Sequence, residues 1–105
     1  MYPRTRIRYE ARAKILKAMA HPSRLLILDQ LGSGERCVCE LTEMIGADKS
    51  TVSKHLGVLK SAGLVTDEKR GLQVFYTLRV PCAMSLFSCI ESVLKMNAEA
   101  HLAAV

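Results

Sequence analysis

Four cysteines and one polar helical edge are the parts of this chain whose residue types and spacing could do chemistry. Cys37 and Cys39 are separated by a single residue in Glu35-Arg36-Cys37-Val38-Cys39-Glu40-Leu41. Cysteine thiolates are soft ligands, suited to As(III), Sb(III), Cd(II), Pb(II) or Zn(II). In a regular helix two such side chains would point apart, so they converge only where the chain is extended or irregular. A place just ahead of a helix N-terminus favours the thiolate form, and Arg36 acts in the same direction. Cys82 and Cys89 lie seven apart on a predicted helix. They share a face but are separated by about 10 Å of rise, too far for one ion. Either could complete a site with Cys37 and Cys39, or meet its counterpart across a dimer. The plainer reading of the Cys37–Cys39 pair is that one or both are small buried hydrophobes.

The polar edge belongs to the stretch from Asp48 to Val65. Asp48 suits an N-cap. Val52, Leu56 and Leu59 make one apolar stripe at helical spacing, and Gly63 sits where a left-handed residue would stop the helix. Lys49, Ser50, Thr51, Ser53, Lys54 and His55 fall near its start. Short hydroxyls, cations and an imidazole can donate to phosphates and base edges, and the DNA major groove admits one helix. A solvated amphipathic face is the alternative. No catalytic arrangement stands out: His55 neighbours Ser53 and Lys54 on a helix better suited to DNA contact, and there is no Gly-rich phosphate loop. The chain reads as a non-enzyme.

The elements that must position these groups follow in order. Residues 1–9 read as an irregular arm with Arg4, Arg6 and Arg8. Residues 10–20 carry apolar residues at helical spacing. His21-Pro22-Ser23-Arg24 breaks that helix and starts another, with Pro22 in the first turn; Leu25, Leu26, Leu28 and Leu31 make it strongly apolar, and Gly32-Ser33-Gly34 ends it. A short third helix runs from about Glu40 to Ile45 and stops at Gly46. Two short helices joined by a tight Gly-containing turn, the second with a polar N-terminal face, form a helix-turn-helix pattern. After Gly63 the period becomes two. Leu64 to Glu68 and Gln73 to Arg79 read as paired strands, with Lys69-Arg70-Gly71 as the turn. This hairpin is a wing whose Arg70 and Gln73 could reach the DNA backbone or minor groove. Pro81 opens a last helix to about Ala100, with a broad apolar face from Leu86 to Met96. The fold class expected is mainly α with a small β-hairpin, a winged helix-turn-helix of order α-α-α-α-β-β-α.

Length and charge agree with that assignment. The 105 residues make one domain, and so short a chain buries a modest core, which a dimer interface would supplement. The first and last helices, the latter spanning 81–100, are candidates for that interface. Half the residues are hydrophobic and 24% are charged, ordinary for a folded protein. The net charge of +5 is uneven: residues 1–24 carry +6, 25–48 carry −4, 49–79 carry +4 and 80–105 carry −1. Cations thus gather where a phosphate-binding surface is expected. No apolar run approaches the length of a membrane span, and no signal pattern opens the chain, so a cytoplasmic location is expected. There, four cysteines suggest thiols, metal ligands or redox sensors and not a disulfide framework.

Three stretches together resemble the ArsR/SmtB family of winged-helix repressors, over roughly residues 11–79. Ala18-Met19-Ala20-His21-Pro22-Ser23-Arg24-Leu25 resembles the entry to the family's second helix. Ser50 to Val65 resembles its recognition helix and the closing Ala-Gly-Leu-Val. Glu35 to Leu41 resembles the Cys-Val-Cys motif of arsenic- and cadmium-sensing members. The resemblance implies a homodimer that binds operator DNA and leaves it when a toxic metal ion or metalloid is captured. In arsenic sensors with a third local thiol, that thiol lies three residues beyond the second cysteine; here the position is Thr42. A family cadmium site would need a cysteine in the N-terminal arm, which has none. The family's zinc sites on the last helix use paired Asp/His and His/Glu positions; here His101, Glu91 and Glu99 make no matching pair.

These observations point to a DNA-binding repressor of a metal(loid)-resistance operon that responds to As(III) or Sb(III) at Cys37 and Cys39, with Cys82 or Cys89 as additional thiols. Sensing of Cd(II), Pb(II) or Zn(II), or of thiol oxidation or persulfide, is the alternative within the same fold. A thiol metal carrier that binds no DNA is the alternative outside it.

Overall fold

The computed structural model describes residues 1–104. Five helices and three short strands follow the order α1 (Pro3–Met19), α2 (Pro22–Leu31), β1 (Arg36–Cys37), α3 (Val38–Ile45), α4 (Lys49–Ser61), β2 (Val65–Arg70), β3 (Gln73–Leu78) and α5 (Ala83–Ala104). The strands form one antiparallel sheet of order β1-β3-β2. The architecture is a winged helix-turn-helix, with α3 and α4 as the helix pair and β2–β3 as the wing.

The core is where the apolar stripes of α2, α3 and α4 meet. Ile27, Leu28, Leu41, Val52, Leu56 and Leu59 are buried completely or nearly so. Leu64 and Val65 close it where the chain leaves α4 for the sheet. Two glycines make the turns around α4 possible. Gly46 ends α3 in the left-handed region at φ +76°. Gly63 follows α4 at φ +81°, and its carbonyl accepts from Arg79 Nη1 at 3.1 Å. At both sites a side chain would be strained.

Several boundaries differ from those read in the sequence. Residues 1–9 are not an irregular arm: helix α1 begins at Pro3, with Pro at the first helical position and Tyr2 as its cap residue. Proline there pre-sets φ and lacks only an N–H that would be unpaired anyway, so its presence marks a start and not a break. Helix α3 begins at Val38 rather than Glu40 because Cys37 and Glu40 form a reciprocal cap. The wing turn is Gly71-Leu72, and Arg70 ends strand β2, opposite Gln73. Helix α5 begins at Ala83 and runs to Ala104, so Cys82 lies in the turn before it and shares no regular helix with Cys89. Strand β1 adds a third strand to the two of the expected order; Arg36 pairs with Tyr76 and Cys37 with Phe75.

Helices α1 and α5 contribute little to this core. Only Ala18 and Met19 of α1 and Ala83 of α5 are buried, with Met84 and Phe87 packed at its edge. Ile7, Tyr9, Ile15 and Leu16 of α1 and Leu86, Ile90, Val93, Leu94 and Met96 of α5 are exposed. The radius of gyration, 16.5 Å, exceeds the value of about 13 Å for a compact domain of this length. Two long helices with this much uncovered apolar surface are the kind of feature that interfaces cover.

Gly63→Ala is expected to destabilise the fold by about 1–2 kcal/mol, the cost of a left-handed L-residue. Urea unfolding measures it; an unchanged midpoint would mean that the turn after α4 does not need the left-handed conformation.

Candidate nucleic-acid interface and thiol site

Helix α4 is oriented by its buried side. Asp48 caps it: Oδ1 accepts from the Thr51 N–H at 2.8 Å and from Ser50 Oγ at 3.1 Å. These bonds hold the Asp48 carboxyl below its ordinary value. With Val52, Leu56 and Leu59 turned inward, Lys49, Ser50, Thr51, Ser53 and Lys54 are all exposed near the N-terminal end. His55 departs from this group. It is half-buried, and its ring lies 4.3 Å from that of His21, tilted by 44°. His21 is itself fixed as the cap of α2, its Nδ1 accepting from the Ser23 N–H at 3.1 Å. The sequence offers His55 to DNA; the structure seats it against α2.

The wing residues are also divided. Gln73 is exposed at the start of β3. Arg70 is engaged: its guanidinium makes two bonds to Glu35, at 2.6 and 2.9 Å, and one to Glu68 at 2.9 Å. It also lies 4.6 Å over the Phe75 ring. These hydrogen bonds raise its already high pKa and lower that of Glu35. Arg70 therefore ties the wing to the segment before Cys37. At the tip, Leu72 is fully exposed; only knowledge of the turn's position would have singled it out.

Cys37 and Cys39 are brought together. Cys37 is extended (φ −79°, ψ 159°) and Cys39 is the second residue of α3. Their Cα atoms are 5.3 Å apart, and the sulfurs are joined as a disulfide. This corrects the expectation of four thiols; Cys82 and Cys89 are free and exposed. Cys37 is 4% exposed and Cys39 open to solvent. The Cys37 sulfur accepts from the Glu40 N–H at 3.3 Å, while the Cys37 N–H donates to Glu40 Oε1 at 3.3 Å. Arg36 holds the other Glu40 oxygen at 3.2 Å. The pair lines a cleft of about 540 Å³ that also takes in Thr42, Lys49 and Ser53 of the helix pair and Gln73 and Tyr76 of the wing. Cys82 and Cys89 do not line it. Among the described residues, no three His, Cys, Asp or Glu side chains are gathered as a metal-ligand set.

The chain's sequence matches the family model described as "Bacterial regulatory protein, arsR family" over residues 21–67. The solved structure of NolR from Sinorhizobium fredii superposes with a TM-score of 0.81 at 30% identity, covering 89% of this chain and 93% of that one. The chain belongs to the ArsR family. A second structure of the same kind is the homodimeric winged helix-turn-helix DNA-binding domain of Mb0332 from Mycobacterium bovis, with a TM-score of 0.78 at 32% identity over 96% of this chain and 94% of that one. The HTH-type transcriptional repressor SmtB of Mycobacterium tuberculosis is 42% identical over 69 residues, 66% of this chain and 51% of SmtB. This ArsR-family chain thus spans about half the length of that relative. No described helix is long and apolar enough to cross a membrane.

Burial, and then the neighbouring His21 and Arg24, hold the His55 imidazole below its ordinary value of 6.5. The unfolded chain then binds a proton that the folded chain refuses. Stability is complete above about pH 6.5 and falls as pH drops from there toward the folded-state value. The urea midpoint is expected to fall between about pH 7.5 and about pH 5.5, and to fall less in His55→Gln. An equal fall in that variant would assign the proton uptake to other groups.

Proposed function

We propose that this chain is a homodimeric, DNA-binding transcriptional repressor of a metal(loid)-resistance operon. Lys49, Ser50, Thr51, Ser53 and Lys54 enter the major groove, with His55 bracing the helix against α2; Gln73 serves the wing, which Arg70 ties to Glu35. Trivalent arsenic or antimony, bound by Cys37 and Cys39 as thiolates, releases the DNA. The observation that carries the reading is that the cysteine pair shares one cleft with Lys49, Ser53 and Gln73. A soft ion there lies beside two side chains of the recognition helix and one of the wing. It also takes the sulfur that caps α3. The dimer is supported by the uncovered apolar faces of α1 and α5 and by the homodimeric Mb0332 domain, and repression by the likeness to the repressor SmtB.

The residues present fit two-sulfur capture of an arsenic or antimony centre. With no third side chain gathered among the described residues, they fit a four-ligand Cd(II), Pb(II) or Zn(II) site less well. Capture needs the dithiol, so the disulfide must first be opened by exchange with two reducing thiols, which leave as their own disulfide. The linkage requires the usual coupling of about 1–3 kcal/mol between effector and DNA.

A second reading rests on the disulfide itself. If oxidation or persulfidation of Cys37 and Cys39 is the signal, the oxidised protein releases DNA with no metal present. A thiol carrier without DNA binding, the reading from another class, would show no salt-dependent association with DNA.

Fluorescence anisotropy of the reduced protein on DNA from upstream of its own gene, at fixed salt, tests these readings. Loss of binding at one arsenite per subunit is expected. Cys37→Ser keeps a capping side chain and is expected to bind DNA but not respond to arsenite. A full response in that variant would overturn the site assignment, and release by oxidation alone would favour the second reading.

A further inference from the structure

The cations of α1 take no part in the interface described above, yet two of them face the recognition helix. Lys14 and Lys17 of α1, Arg24 of α2 and Lys54 of α4 line one groove of about 710 Å³ between the three helices. No Asp or Glu lines it; the remaining lining is small or uncharged. Among the described residues, none of the four makes an ion pair. By contrast, Arg36, Lys60 and Arg70 each have a carboxylate within 3.2 Å.

Arg24 is the fixed member. Its Nη1 donates to the Ala18 carbonyl at 3.0 Å, which anchors the guanidinium across the end of α1. Its Nε is buried and has no hydrogen-bond partner among the described residues. A buried donor without an acceptor is costly; a small shift of the side chain that opens the Nε–Nη2 edge to the groove would present the fork geometry that takes two oxygens of one oxyanion. Four like charges around a concave surface repel one another and focus field on an incoming anion.

We propose that this groove is a phosphate-binding site, with Arg24 as its fork and Lys14, Lys17 and Lys54 as its point charges. The backbone of the bound DNA is the favoured source. Lys54 belongs both to the groove and to the exposed face of α4, so a phosphate beside the major groove can reach it. The source of the phosphate rests on the repressor reading; the site itself does not. The footprint on DNA then extends from α4 onto α1, and the positive charge of residues 1–24 acquires a role.

The test uses Lys14→Gln/Lys17→Gln, two exposed positions that leave the core untouched. Its affinity for DNA is measured over a series of salt concentrations. The slope of log K against log salt is expected to fall by about 0.9 for each phosphate that is no longer neutralised, for upstream and unrelated DNA alike. Arg4→Gln/Arg8→Gln, cations of the same helix outside the groove, is the control expected to leave the slope unchanged. In parallel, inorganic pyrophosphate is titrated into the 15N-labelled full chain while the Arg24 Nε–H resonance is followed. A reduced slope specific to the groove variant supports backbone phosphate. An unchanged slope with a saturable Arg24 shift, abolished in the groove variant, supports the site but makes a free phosphate its ligand. An unchanged slope with no Arg24 shift overturns the proposal. Wild-type protein that binds no DNA would overturn the repressor reading and leave the pyrophosphate titration to decide the groove.

Discussion

The arrangement depends on the burial of one side of α4. Val52, Leu56 and Leu59 are fully removed from solvent against α2 and α3, each contributing about 1.5–3 kcal/mol of apolar burial. A rigid helix with one side fixed has no freedom to choose what its other side shows. The exposed hydroxyls and cations, the seating of His55 against His21, and the two clefts that flank α4 all follow from that rotation. One flank holds the cysteines and wing, the other the cationic groove.

Elements with a clear period and clear punctuation are legible in the sequence. The apolar stripe, the Asp48 cap and Gly63 locate α4 because each carries a local physical requirement. The Gly32 stop, the Gly46 turn and the alternation of β3 are legible for the same reason. What the sequence hides depends on pairing across the chain. Strand β1 is two residues long and exists because β3 offers an edge to Arg36 and Cys37; no local pattern announces it. The irregular arm read over residues 1–9 is a helix because the chemistry of Pro3 suits a helix start as well as a loop. The wing turn is displaced from its expected position because Arg70 looks like a solvent-facing cation, while its partner Glu35 lies thirty-five residues earlier.

The candidate site is legible in its residue types more than in its geometry. The convergence of Cys37 and Cys39 has a condition visible in the sequence, an extended or irregular start to α3, and the structure supplies it. Their disulfide is not foreshadowed, since a location argument favours free thiols. The cationic groove shows the limit of a charge count. Residues 1–24 are visibly basic, but only the packing of α1 beside α4 separates Lys14 and Lys17 from Arg4, Arg6 and Arg8.

Cys37 has two duties. Its sulfur is the acceptor that begins α3, and its backbone is the rung that joins β1 to β3. Any chemistry at that sulfur is felt at once by a helix end and a sheet edge. Glu40, which returns the bond to Cys37 and is itself held by Arg36, sets how firmly the helix end is clamped. On the proposed reading the clamp is a threshold: a stiffer one makes the sulfur harder to recruit, a looser one lets the helix fray unprompted. Sensitivity is then set at Glu40 and Arg36, which touch the cysteine pair but lie off the recognition helix.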